Sequence, residues 1–409
     1  MTWVVVAGGL LLLVFLHELG HFSVALLVGV RPRSFYVGFP PAIFKVQRKG
    51  IEYGLGAIPL GGMVRIPGMN RPAGRDIEAF MAGALREDPA LTSLVQRVRR
   101  ALEAEDFAAA RKLLPELRDE LEQAQLSTSA RRSANRALRD LDEGTGLDAY
   151  WRQATWKRIA IIAAGPIANI LVAFVIFVVV FATGAPSQKP STKVGQVEHN
   201  TPAAAAGLKA GDRVVAVDGH AAKTFDAVST LIRGSRGKPI TVTVQRDGHA
   251  VTLGPQKTIQ VQKRWIWGFV PAEQLVAYPL GTSLGKAADE CWRVVAATGN
   301  GFAGIFRAKE RAQISGPVGI VRTSQEALKA GFSWYLLLLG LISMSLALLN
   351  LLPLLPLDGG HILFSLIESV RRRALAREVY ERVSMLGIAL ILVLMYIALS
   401  NDFSSGPPR

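Results

Sequence analysis

The stretch LLLLVFLHELGHFSVALLVGV, Leu10 to Val30, places His17, Glu18 and His21 inside an otherwise unbroken apolar run that begins at Thr2. A run of that length crosses a bilayer as one helix. Ionisable side chains are costly at that depth and mark function by default. Histidines at i and i+4 lie about 40° apart around a helix, so both imidazoles face one point, and the intervening glutamate flanks it closely enough to reach a water held there. The run has no basic leading segment and no small-residue cleavage site, so it reads as a retained span rather than a removed signal peptide.

Three further apolar stretches follow, at Ile159–Thr183, from Trp334 to about Leu357, and from Met385 to about Leu399. Half of the 409 residues are hydrophobic, which points to a membrane protein. The net charge of +15 raises the question of nucleic acid, but the arginines are scattered or flank apolar segments instead of alternating with aromatics, so no nucleic-acid partner is expected. They set the orientation: Arg31 and Arg33 follow the first span, Arg152, Lys157 and Arg158 precede the second, and Arg371, Arg372, Arg373 and Arg377 lie between the third and fourth. Those ends read as cytoplasmic, which puts both termini outside. Cys291 is the single cysteine, so any metal must be held by His, Asp or Glu.

Between the spans, FKVQRKGIEYGLGAIPLGGMVRIPG (Phe44 to Gly68) alternates apolar and polar residues with glycine breaks and reads as a hairpin or small sheet against the membrane. From about Ile77 to Leu147 the sequence turns charged, rich in Ala and Leu at helical spacing, and predicts two or three helices. VGQVEHNTPAAAAGLKAGDRVVAVDGH (Val194 to His220) resembles a PDZ domain covering roughly 186–263. Residues 264–333 predict an amphipathic helix and a loop.

The expected fold is a polytopic α-helical membrane protein with four transmembrane helices, a membrane-associated β-hairpin, a cytoplasmic helical insert and an extracytoplasmic PDZ domain. In order, the segments are a first transmembrane helix (1–30), the hairpin region (31–76), the insert (77–150), a second transmembrane helix (151–184), the PDZ domain (185–263), an extracytoplasmic linker (264–333), a third transmembrane helix (334–366), a cytoplasmic amphipathic segment (367–384) and a fourth transmembrane helix (385–401).

Two histidines do not complete a catalytic zinc site, which takes three protein ligands and keeps one position open. The third candidate is Asp358, in NLLPLLPLDGG (Asn350 to Gly360), a carboxylate at the end of an apolar span. Pro353 and Pro356 break the helix there, and Gly359 and Gly360 are expected to let the backbone turn so that the carboxylate is aimed at another helix. His361 reads as a polar residue near the interface and stays outside the metal set.

The chain resembles the site-2 protease family of intramembrane zinc metalloproteases, in its bacterial regulator-of-sigma-factor branch. HELGH, GPIAN (Gly165 to Asn169), a PDZ domain, ISGPVGI (Ile314 to Ile320) and NLLPLLPLDGG follow one another as in that branch, and PLGGMVRIPG resembles its membrane-associated hairpin. The resemblance covers nearly the whole chain apart from roughly 77–150. It implies Zn2+ bound by His17, His21 and Asp358, with Glu18 as general base, in a bacterial inner membrane. It also implies transmembrane substrates, such as trimmed anti-sigma factors or signal-peptide remnants, met within the lipid bilayer. Substrate-binding candidates are Asn350 and the hairpin residues Gly61 and Gly62, where an exposed strand edge would hold an unwound segment. The PDZ domain either captures a carboxylate terminus near Val194 to Val197 or excludes bulky substrates as a gate, the preferred reading; the insert is a solvated bundle with a possible partner. A catalytically idle peptide-binding scaffold and a metal or proton transporter are the competing classes. The complete metal set opposes the first, and the lack of repeat symmetry the second.

Overall fold

The computed structural model describes residues 2–187, 190–261, 264–272, 274–304, 316–375 and 377–404. The chain forms two compact units: residues 1–176, 288–330 and 338–409 make the first, and 177–287 with 331–337 the second.

The first unit opens with α1 (Thr2–Leu27), which is followed by β1 (Ser34–Arg48) and β2 (Ile51–Arg65). These two strands bend back on themselves. Ser34–Val37 lies between Gly62–Arg65 on one side and Glu52–Leu55 on the other, while Phe44–Arg48 pairs with Ile51–Leu55. The sheet therefore starts ten residues earlier than the alternation from Phe44 suggests, because Ser34–Val37 is a short inner strand that carries no polar alternation. Phe39, Ile43, Phe44, Val46, Leu55 and Ile58 are exposed, an apolar surface that water would penalise.

Four α-helices follow where two or three were expected: α2 (Gly74–Glu87), α3 (Thr92–Glu103), α4 (Phe107–Gln123) and α5 (Thr128–Thr145). The extra break comes from Asp88-Pro89, which ends α2, and Asp106, whose side chain caps α4 through the Ala109 amide at 2.9 Å. Leu94, Val95, Val98 and Leu102 pack with Leu114, Leu117, Leu121, Leu138 and Leu141 in the bundle's own core. The bundle leaves and rejoins the rest at one place, where the Tyr150 amide donates to the Pro67 carbonyl at 2.9 Å and the Trp151 amide to Gly68 at 3.1 Å.

Next comes α6 (Thr155–Thr183), and beyond the β-strands of the second unit α9 (Leu280–Gly304), α10 (Pro317–Ala330), α11 (Phe332–Asn350), α12 (Asp358–Arg371) and α13 (Arg377–Ser404). Among the described residues, four helices are long and apolar enough to cross a membrane: Thr2–Leu27, Thr155–Thr183, Phe332–Asn350 and Glu378–Phe403. The chain is a polytopic membrane protein. The stretch 334–366 is not one helix, since α11 stops at Asn350 ahead of the two prolines and α12 starts afresh at Asp358. The last span is longer than 385–401. Glu378, Glu381 and Arg382 hide its first turns in a hydropathy reading, so no separate amphipathic segment occupies 367–384. Of ISGPVGI, Ile314 and Ser315 lie outside the described residues.

The second unit holds a four-stranded sheet in the order β6 (His220–Ala221), β5 (Arg213–Val217), β7 (Pro239–Arg246) and β8 (His249–Lys257). Short helices Pro202–Ala205 and Phe225–Gly234 accompany it, as α7 and α8. Its core extends past residue 263. Trp267 is 1% exposed within it, and Phe269–Pro271 pairs with β4 (Val194–Val197). The opposite flank of β4 bonds to residues 211–212, where the Val194 amide donates to the Asp212 carbonyl and Gly211 donates back to Val194. Arg246 grips the buried Asp212 carboxylate with two hydrogen bonds of 2.8 and 2.7 Å, and this holds the Asp212 carboxyl below the usual carboxylate range.

Candidate metal centre

His17 and His21 are both 7% exposed on one face of α1, one helical turn apart, and Asp358 opens α12 beside them. The two Nε2 atoms are 3.2 Å apart. Asp358 Oδ2 lies 3.3 Å from His17 Nε2 and 3.4 Å from His21 Nε2. These three residues are the group among the described residues whose ligand atoms converge closely enough for a metal ion. Tetrahedral zinc with bonds of about 2.0–2.1 Å requires donors about 3.3–3.4 Å apart, the spacing found here.

The surroundings prepare the donors. Nδ1 of His21 donates to the Ile161 carbonyl of α6 at 2.8 Å, which fixes the ring tautomer and leaves Nε2 with a free lone pair. Asp358 Oδ2, pressed between two such nitrogens, is buried without a hydrogen-bond donor. A buried carboxylate oxygen facing two imidazole lone pairs is repulsive until a cation joins them. Two nitrogens and one oxygen suit zinc.

Helix α6 shapes this cradle. A side chain at Gly165 would overlap the His21 imidazole, and one at Gly20 would overlap the Ala164 carbonyl, so α1 and α6 touch along their backbones where the histidines sit. Asn169, fully buried on α6, has its amide nitrogen 3.4 Å from His17 Nδ1 while its own Oδ1 has no partner. With the amide turned so that Oδ1 faces the ring, His17 Nδ1–H gains an acceptor and the orphaned oxygen a donor. Ser343 of α11 fixes the Asn169 backbone by donating to its carbonyl at 2.9 Å.

Glu18 follows His17 on α1 and lies against the Gly62–Arg65 segment of β2. Gly62 packs directly on the Glu18 side chain, leaving no room for a Cβ. Gly61 backs onto the Phe39 ring instead. Asn350, the last residue of α11, is half-buried, and among the described residues its side chain makes no hydrogen bond. His361 lies on α12 and lines the space shared with Tyr150, Arg158 and Glu368, and it is not one of the converging donors. Gly359 and Gly360 have ordinary helical backbones. They are required because the Leu351–Leu355 backbone folds against them, not because the chain turns there.

Sequence reading singled out GPIAN but gave Gly165 and Asn169 no role, and it missed the Ile161 carbonyl. The available signal was a lone amide in an apolar span, the kind of residue that marks a functional contact in a membrane.

The model of peptidase family M50 matches residues 5–394. Zinc metalloprotease RasP of Geobacillus kaustophilus is 30% identical over 433 residues, covering 98% of this chain and 96% of that protein. Regulator of sigma-W protease RasP of Bacillus subtilis is 28% identical over 407 residues, covering 95% of each. A donor triangle built from α1 and the start of α12 and backed by α6, in a sequence matched over nearly its whole length, has one consistent reading: the chain belongs to peptidase family M50, as a multi-pass membrane zinc metalloprotease of the site-2 type.

Proposed function

We propose that His17, His21 and Asp358 hold the zinc and that Glu18 is the general base of an endopeptidase that cuts single-span membrane proteins within or at the edge of the bilayer. The observation that carries this is the triangle of donors 3.2–3.4 Å apart with an undonated carboxylate oxygen at one corner. Zinc bound there supplies a Lewis acid for the scissile carbonyl and lowers the pKa of the attacking water. Glu18 takes the proton of that water and returns it to the departing amine nitrogen. The apolar walls of α1, α6 and α11 exclude bulk water, which strengthens each charge contact inside.

A helical substrate hides its carbonyls in intrahelical bonds, so the segment to be cut must be unwound first. The outer strand Gly62–Arg65 offers its edge beside Glu18, which supports β-pairing of the unwound segment there, with Gly61 and Gly62 seating Phe39 and Glu18 against the strand and Asn350 binding a backbone group. The exposed apolar residues of the sheet support its burial in lipid. Charged ends of α1, α6, α12 and α13 share one side with the insert, through Arg33–Asp148 at 3.0 Å and the Arg75–Glu378 ion pair. This supports a cytoplasmic insert and extracytoplasmic termini. The sheet unit of 185–271 is read as a PDZ domain acting as a gate, a reading supported by the pairing of Val194–Val197 with Phe269–Pro271 along one flank and by the bonds of Val194 to residues 211–212 on the other, which leave less of that strand open to a carboxylate terminus. Substrates of the trimmed anti-sigma or signal-peptide type are those that the resemblance to the site-2 protease family implies, and the Bacillus subtilis relative, a regulator of sigma-W protease by name, supports a regulatory substrate.

The test is side-by-side cleavage of one single-span substrate in full-length and externally trimmed forms, by wild type and by a deletion of 185–271. Cutting of the full-length form by the deletion supports the gate. Loss of the trimmed form alone overturns it, and a wild type that cuts neither form overturns the substrate class.

A further inference from the structure

The fourth span is the least embedded of the four, with 11% of its apolar window buried against 39% for the second. Its attachments are correspondingly specific. Near its start, Glu378 pairs with Arg75, and Tyr380 stacks on Phe364 at 4.5 Å and reaches Glu368 at 3.4 Å. Near its end, the Asp402 carboxylate accepts the Gly316 and Gly319 amides at 2.9 Å each. Between these ends, Gly387 brings the helix backbone onto the Leu355 carbonyl so closely that any Cβ there would overlap the oxygen, and it would stand 3.3 Å from Leu354 Cγ.

Leu355 belongs to the non-helical turn 351–357 that delivers Asp358 to the two histidines. Its side chain is 1% exposed, and no regular ladder secures the turn. Gly359 and Gly360 press on the turn from α12, and Gly387 presses from α13. Segments with few hydrogen bonds of their own keep their shape through such close packing.

We propose that Gly387 is a positioning residue: α13 is the stop against which the 351–357 turn is seated, and that seat fixes where the Asp358 carboxylate stands. The proposal rests on the metal set assigned above. It gives a loosely embedded span a direct mechanical hold on one zinc ligand, so any sideways shift of that span is felt at the metal. A one-carbon addition at Gly387 has to displace either the helix or the turn, because the obstacle is backbone and cannot swing aside.

The experiment uses the full chain purified in detergent. Zinc affinity is measured by competition with a chromophoric chelator, and ligand geometry by the visible absorption of the cobalt-substituted protein. Gly387→Ala is expected to weaken zinc binding about 10- to 100-fold, the range seen when support of a ligand is lost, and to change the cobalt spectrum. Leu354→Ala, which loosens the same contact without a clash, should weaken binding several-fold. Leu386→Ala, on the 71% exposed neighbour, should leave both readouts unchanged. Wild-type affinity and spectrum in Gly387→Ala, with zinc lost in Asp358→Ala, overturns the positioning role while leaving the metal set standing. Undiminished zinc in Asp358→Ala overturns the metal set and the proposal with it. If Gly387→Ala does not accumulate as folded protein, Leu354→Ala decides, and unchanged affinity there overturns the proposal.

Discussion

His21 reaches from the first span to the second, where its Nδ1 donates to the Ile161 carbonyl at 2.8 Å. The bond does for this histidine what a carboxylate does in many zinc sites, holding the tautomer and the ring plane with a main-chain group that cannot itself be mutated away. It works because Gly165, one helical turn further along α6, presents no side chain to the ring.

Gly165→Ala therefore separates metal binding from stability. Alanine is the better helix former by about 1 kcal/mol, so α6 itself loses nothing, while the added methyl pushes the imidazole off the triangle. Zinc affinity should fall about 10- to 100-fold, read by chelator competition, and thermal unfolding of the zinc-free protein should shift far less.

Asn169 is expected to behave as an orienting acceptor. Asn169→Ala should weaken zinc binding by about 10-fold or more, and Asn169→Asp, which keeps an oxygen facing His17 Nδ1, should retain most of it. Equal losses in both variants would show that the amide nitrogen is the contact that matters.

Glu18→Gln should keep its zinc and lose turnover by about 10²- to 10⁴-fold, since the amide matches the carboxylate in size but takes no proton. Metal content and cleavage of a model transmembrane substrate are measured on the same preparation. Near-normal cleavage would remove Glu18 from the role of base.

In the second unit, Asp212→Asn breaks a carboxylate that is 2% exposed and doubly bonded to Arg246, and should cost about 2–4 kcal/mol. Because the folded-state carboxyl titrates below its unfolded value of about 3.9, the pair's contribution is complete above that pH and is lost as pH falls through the lower folded value. The stability gap between wild type and variant, followed by fluorescence of the buried Trp267, should close below about pH 4.

The spacing of His17, Glu18 and His21 was readable because a helix turns 100° per residue wherever it sits, and Asp358 because a carboxylate after an apolar span demands a partner. Their supports were harder to see. The carbonyl of Ile161 has no sequence signature, and Gly165, Gly359 and Gly387 matter through the atoms opposite them, which one chain read in order does not reveal. The insert's helix count was missed because Asp88 and Asp106, cap residues amid many exposed charges, look like surface. Ser34–Val37 lies inside the expected hairpin region 31–76, but the alternation from Phe44 did not mark it as a strand, because it is flanked by strands on both sides and does not alternate. The core of the second unit ran past 263 because Trp267 comes from a stretch with no clear period.

The insert's two ends are stitched together by the Tyr150–Pro67 and Trp151–Gly68 hydrogen bonds. Apart from surface ion pairs such as Arg33–Asp148 and Arg75–Glu378, four helices and some eighty residues therefore meet the rest of the chain as a single short turn would. Loop closure grows only slowly with length, by about 0.6 kcal/mol per doubling, so the excursion places almost no conformational burden on the spans beside it. The junction behaves as a socket: a bundle of another size, or a plain tight turn, would fit between Gly68 and Tyr150 while the histidines stayed where they are.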